Sequence, residues 1–231
     1  MNEYLNHLLF GIYPYIALVT LAVGSIIRFE REPYSWRAGS SQLLRRKQLI
    51  WGSVLFHAGV LVVLFGHVVG LLVPIWIFET IHFKHEWKQV LAVAVGGVAG
   101  SISFVGATLL LHRRLFDERI RVNSTFADTG ILALLWLQLL LGLATIPVSL
   151  GHLDGTEMVR FMAWANGIFM FNQEASSYIA NSTSIFRVHI VVGLTIFLLF
   201  PFTRLVHMLS APVRYLWRPG YQVVRSRKIQ A

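Results

Sequence analysis

Cysteine is absent from the 231-residue chain. That excludes disulfides, thiolate-ligated iron–sulfur clusters, covalent c-type haem and cysteine zinc sites, so any metal must be held by histidine or carboxylate. Charge is scarce too: 13% of residues are Asp, Glu, Lys or Arg against 55% hydrophobic, where a soluble domain is about a quarter charged. With a mean hydropathy of +0.62, this composition excludes a water-soluble monomer. Acidic residues number 11 against 20 Lys and Arg, a net charge of +9. A nucleic-acid binder would gather such cations into one patch or stripe; here they sit between long apolar runs. No Lys or Arg precedes Arg28, so the positive n-region of a secretory signal is missing and the first apolar segment is expected to stay in the mature protein.

What is present is a series of uncharged stretches. No Asp, Glu, Lys or Arg occurs in 6–27, 48–78, 89–112 or 129–153, and each is long enough for a bilayer crossing of about 20 residues. A fifth, shorter run lies between Arg187 and Arg204, where terminal cations can snorkel to the headgroups. The pattern predicts an all-α membrane protein, a bundle of five transmembrane helices near 7–27, 50–76, 89–111, 129–150 and 185–209. Pro14 and Pro201 are expected inside helices, where neighbours can satisfy the freed backbone groups. Gly96 and Gly100 form a GxxxG, predicting close helix packing. Met158, Phe161, Met162, Ala165 and Phe169 recur at roughly helical spacing, which predicts an interfacial helix on the outer membrane surface.

The loops give a direction. Arg28, Arg31, Arg37, Arg45, Arg46 and Lys47 follow the first run, Arg113, Arg114, Arg119 and Arg121 the third, and Arg204, Arg214, Arg218, Arg225, Arg227 and Lys228 the fifth. Only Lys84, Lys88, Arg160 and Arg187 lie on the other side. Sixteen of the 20 cations on one side predict an N-terminus outside and a C-terminus in the cytoplasm. The charge thus reports orientation; an anionic lipid or acidic partner could use the same surface.

Nine histidines remain. His7, His82, His85, His112 and His152 fall at segment ends or in loops, whereas His57 and His67 lie inside the second span and His189 and His207 inside or at the inner end of the fifth. Ionisable residues at membrane depth are functional candidates. Antiparallel helices match His57 with His207 at the cytoplasmic level and His67 with His189 at the outer level. Two imidazoles from facing helices suit six-coordinate haem iron, which has no open position and transfers electrons. The spacing is uneven, because helical rise puts His57 and His67 about 15 Å apart but His189 and His207 about 27 Å apart. Tilt, inclined cofactor planes or distortion near Pro201 would have to absorb the difference. Gly66, Gly70 and Gly193 could leave room for a flat macrocycle. Arg204 shares a face with His207 and is a candidate haem-propionate partner, with Arg37, Arg113 and Arg114 as looser ones.

Quoted in order, IYPYIA (12–17), YSWRAGSSQ (34–42), LFHAGVLVVLFGHVVG (55–70), LLLHRRLF (109–116), IPVSLGHLDGTEM (146–158), IFRVHIVVGLTIFLLFPFTRLVH (185–207) and APVRYL (211–216) resemble, across nearly the whole chain, the gamma subunits of membrane-bound respiratory nitrate reductases. These are dihaem cytochromes b of the cytoplasmic membrane. The resemblance implies two haems b: a distal one on His67 and His189 and a proximal one on His57 and His207. It implies quinol oxidation, of menaquinol or ubiquinol, near the distal haem, with Lys88 of EWKQ, Gly66 and His67 in the quinol site. The stretch 80–87 departs most from the family pattern. The resemblance further implies electron transfer to a cytoplasmic iron–sulfur beta subunit and a molybdenum-containing alpha subunit that reduces nitrate to nitrite in anaerobic respiration. No cluster or molybdenum would reside in this chain. Residues 1–209 would then form the dihaem domain, and 210–231, with Tyr215, Trp217 and Tyr221, a cytoplasmic tail docking the soluble subunits. Similar two-haem anchors serve heterodisulfide reductases, hydrogenases and formate dehydrogenases. A His-lined transporter is the alternative without haem, and a di-metal hydroxylase lacks its HxxxH and HxxHH boxes here.

Overall fold

A computed structural model describes residues 2–36, 44–82, 84–151 and 153–209. Among them all regular structure is helical. Five helices are long and apolar enough to span a bilayer: α1 (Glu3–Arg31), α2 (Arg46–Leu72), α4 (His85–Phe116), α6 (Phe126–Leu150) and the run Ser184–Phe202, whose α-helical part is α8 (Ser184–Leu199). Shorter helices are α3 (Ile75–Thr80), α5 (Glu118–Val122) and α7 (Thr156–Phe169). Large apolar side chains such as Val19, Ile26, Val54, Leu61, Val98 and Val105 are exposed along the spans, the surface a lipid solvent favours.

Each span starts ahead of its uncharged stretch. α4 starts at His85 and ends at Phe116, so it includes Lys88, Arg113 and Arg114, and Lys88 and Arg113 are buried against the protein. α6 begins on a capping box: Thr125 accepts from the Asp128 amide, and Asp128 accepts from the Thr125 amide, satisfying two orphan donors. The fifth span departs from the predicted 185–209. Proline has no N–H and its ring clashes with the preceding turn, and α8 ends at Leu199, followed by 3-10 turns at Phe200–Phe202 and Arg204–Met208. Pro201 ends the helix where continuation was expected.

The extensive helix contacts run α2–α4, α4–α6, α6–α8 and α8–α1. Small residues set the closest of these. A Cβ at Gly59 would lie 2.4 Å from the Ala99 carbonyl oxygen, and one at Gly106 2.3 Å from the Phe56 amide nitrogen. The predicted GxxxG packing is not where helices touch backbone to backbone: Gly96 has nothing within 4 Å of its Cβ position, and Gly100 meets only Leu143.

The helix predicted on the outer surface forms as α7, but it is packed into the bundle. Met162, Trp164, Ala165 and Ile168 are buried, the last three with Phe10, Ala175 and Ile179. Two π-helical segments, Leu8–Ile12 in α1 and Val68–Leu72 in α2, supply its polar anchors. Pro14 cannot donate to the Phe10 carbonyl four residues back, and Trp164 Nε1–H donates to it instead at 2.9 Å; Asn166 likewise donates to the Leu71 carbonyl at 2.9 Å. Gly155, at φ 78°, starts α7 where any Cβ would lie 2.9 Å from the His85 backbone, so both the left-handed conformation and the space call for glycine.

Candidate functional site

Four imidazoles bridge α2 to the α8 region at two levels. The rings of His67 and His189 have centroids 6.1 Å apart, and those of His57 and His207 lie 6.2 Å apart at the arginine-rich end. α2 and α8 are not among the closely packed helix pairs, so the rings face each other across an interhelical gap. The unequal helical spacing disappears because His207 is not on a continuing helix. At Thr203 the backbone is extended (φ −122°, ψ 179°), and the chain turns before Arg204–Met208, bringing His207 back towards His57.

Local hydrogen bonds orient three of the rings. Nδ1 of His57 is 2.8 Å from the Ser53 carbonyl, Nδ1 of His67 is 2.8 Å from that of Val63, and Nδ1 of His207 bonds that of Arg204. An N–H donated there fixes the tautomer and leaves the Nε2 lone pair for a partner. His189 is held differently: its Nε2 is 3.4 Å from the Gln138 amide nitrogen and its buried Nδ1 has no hydrogen-bond partner among the described residues. Gly142 makes room for this ring, and Gly193, expected to face a macrocycle, instead makes room for Gln138.

The pairs fit axial ligation. A metal–imidazole bond is about 2 Å, so two imidazoles on opposite sides of one metal place their ring centres about 6 Å apart. No group of three or more His, Cys, Asp or Glu converges among the described residues. Each pair could therefore supply two bonds only, suiting a metal whose in-plane ligands come with a macrocycle, as in haem.

Lys88 is buried, 5% exposed, one turn into α4. Its Nζ donates to the Gly70 carbonyl at 3.2 Å and to Met162 Sδ at 2.8 Å, and lies 3.7 Å from the Phe78 ring centre. Pro74 cannot give Gly70 the amide donor of a continuing helix, and Lys88 takes that place. Lys88 thus joins the π segment following His67 to α7. Cβ positions at Gly66 and Gly70 meet nothing within 4 Å, leaving open space beside His67.

Among the arginine candidates, Arg204 Nε pairs with Asp128 at 2.7 Å, an ion pair the sequence reading did not contain. Arg113 is buried and donates to the Leu44 carbonyl at 2.6 Å. Arg114 carries a buried Nη1 without a hydrogen-bond partner among the described residues. Arg37 and the tail 210–231 lie outside the described residues. Sequence reasoning did not place Asp128, Phe78 or Gln138 at the site, and read Met162 only as part of the helix near 156–171. Asp128 had a signal, as the carboxylate three residues after an N-capping threonine; the others look like ordinary helix residues.

Five spanning helices and two facing imidazole pairs define a multi-pass membrane protein built around paired histidines. A family model described as nitrate reductase gamma subunit matches residues 6–227. The chain is 46% identical to the respiratory nitrate reductase 1 gamma chain of Escherichia coli (strain K12), covering 97% of this chain and 99% of that one. It is 43% identical to the respiratory nitrate reductase 2 gamma chain of the same strain, over 99% of this chain and 100% of that one. Identity to the nitrate reductase gamma chain of Bacillus subtilis (strain 168) is 38%, over 96% and 99%. The chain belongs to the nitrate reductase gamma subunit family.

Proposed function

We propose that this chain is the quinol-oxidising subunit of a respiratory nitrate reductase in the cytoplasmic membrane, with its N-terminus outside and its arginine-rich end at the cytoplasm. The observation that carries the reading is a facing imidazole pair at each of two levels, with ring centres 6.1 and 6.2 Å apart. His67 and His189 would hold one haem b, and His57 and His207 a second. Bound there, haem supplies reversible one-electron carriage. Arg114, with its unsatisfied nitrogen, is the best-supported partner for a propionate, while Arg204 is engaged by Asp128.

Lys88 binds and orients the quinol. An ammonium has three donors; two go to Gly70 and Met162, and the third, beside the Phe78 ring, would turn to a quinol oxygen near Gly66 and His67. Protons leaving quinol at this level are released outside. Electrons depart from the arginine-rich end to an iron–sulfur beta subunit and reach nitrate in a molybdenum-containing alpha subunit, since a chain without cysteine has no thiolates for clusters.

The reduced-minus-oxidised spectrum of the purified complex tests this. Two low-spin b-type components are expected, and His67→Ala and His189→Ala should each remove the same one. Both variants should lose quinol-driven nitrate reduction yet retain reduction by an artificial donor to the soluble subunits. Retention of both components in either variant overturns the pairing.

A further inference from the structure

We infer that Arg28, at the end of α1, is a positioning residue for His207: it clamps the turn after α8 that carries this imidazole to His57. The inference rests on the reading of His207 as a cofactor ligand. Arg28 Nη1 donates to the carbonyls of Pro201 and Thr203, each at 2.7 Å. Its Nε donates to Ser35 Oγ at 3.0 Å and its Nη2 to the Ser35 carbonyl at 3.1 Å.

The two acceptors flank the break in the chain. Pro201 lies in the Phe200–Phe202 turn, where a stopping helix leaves carbonyls without amide donors. Thr203 is the N-cap of Arg204–Met208, so Arg28 ties one turn to the next. The planar guanidinium presents donors in a fixed fork, so one side chain can serve two carbonyls of the turn and, behind it, Ser35. α1 also approaches the turn sterically, since a Cβ at Gly24, one turn before Arg28, would lie 2.8 Å from Pro201 Cγ.

Two further contacts make the clamp specific to the segment bearing His207. Arg204 is tied to Asp128 at the start of α6. Leu205 and Val206 are buried with Ile131, Ile196 and Phe200. His207 therefore sits on one 3-10 turn held from α1 by hydrogen bonds, from α6 by an ion pair and from below by apolar packing. By contrast, His57, His67 and His189 ride on long helices and need no such support. Arg28 was counted among the cations of the orientation signal; its hydrogen bonds instead run to this chain's own backbone and Ser35.

The test uses the complex purified with its partner subunits, comparing wild type with Arg28→Ala, Arg28→Lys and Asp128→Asn. Hydrogen exchange across 203–208 should accelerate at least about tenfold in Arg28→Ala, the effect of losing several charge-assisted bonds from a locally opening unit, while 184–199 stays protected. In a redox titration the b-type component that His207→Ala removes should shift or disappear, and the component that His67→Ala removes should keep its potential. Arg28→Lys should restore part of both signals, because an ammonium can reach the turn carbonyls without the fork to Ser35. Asp128→Asn should give the same selective pattern in weaker form. Unchanged exchange and potentials in Arg28→Ala overturn the inference, as does equal loss of both components in Arg28→Lys, which would mark general destabilisation. If wild-type protein carries no b-type component, the reading of the site fails, and the exchange data still decide whether Arg28 holds the turn.

Discussion

Lys88 shows how much one buried cation commits the molecule to. Its contacts are a carbonyl, a thioether and an aromatic ring, and partners of this kind compensate poorly for taking an ammonium out of water. Lys88→Met fills a similar volume and removes the buried charge but also takes the donor from the Gly70 carbonyl, so the two effects oppose and assembly and thermal stability should stay close to wild type. Quinol-driven turnover should fall by about tenfold to a hundredfold, the loss of one charge-assisted hydrogen bond to substrate, with artificial-donor turnover unchanged. Measuring the two rates on one preparation checks this, and an unchanged ratio would remove Lys88 from the site. The residue itself was legible as the lysine of EWKQ, but its burial was not. Charge boundaries place it in a loop, whereas α4 begins at His85 and carries it inward against α7, a contact between residues 74 positions apart.

At the scale of elements, the α2–α4 contact depends on small residues seven apart, Gly52 and Gly59 on one helix and Ala99 and Gly106 on the other. That is heptad-like spacing, not the four-residue spacing of GxxxG, so scanning for the familiar motif selected Gly96 and Gly100 and passed over the real seam. Overpacking a tight seam costs about 1–3 kcal/mol, and the atoms met at Gly59 and Gly106 are backbone, which cannot swing aside. Gly59→Ala and Gly106→Ala should each lower the thermal unfolding midpoint in detergent by several degrees, as expected for ~1–3 kcal/mol. Gly96→Ala should leave it unchanged or slightly raised, since its Cβ meets nothing and alanine is the better helix former. The reverse ranking would place the seam elsewhere. The end of α8 was half legible in the same way. Pro201 was visible, but whether a proline kinks a helix or ends it depends on who satisfies the freed carbonyls, and Arg28 is 173 residues away in sequence.

For the whole molecule, the number of spans was legible because charge gaps are a one-dimensional signal. The order in which helices touch was not, because every apolar face reads alike when lipid and protein are equally good neighbours. Direction rests on the loops, sixteen of 20 cations on one side, and the chain offers a clean way to check it, because it has no cysteine of its own. Gln173→Cys lies on the exposed segment between α7 and α8, and Asn123→Cys on the exposed turn between α5 and α6. The positive-inside bias predicts the first outside and the second in the cytoplasm. A membrane-impermeant maleimide added to intact spheroplasts should label Gln173→Cys fully. Asn123→Cys should react only after the membranes are dissolved in denaturing detergent, which also uncovers it if partner subunits sit on that end. Labelling of Asn123→Cys in intact cells, with Gln173→Cys protected, would invert the orientation. It would also move Lys88 and the His67–His189 level to the cytoplasmic side, so that protons from quinol would no longer be released outside.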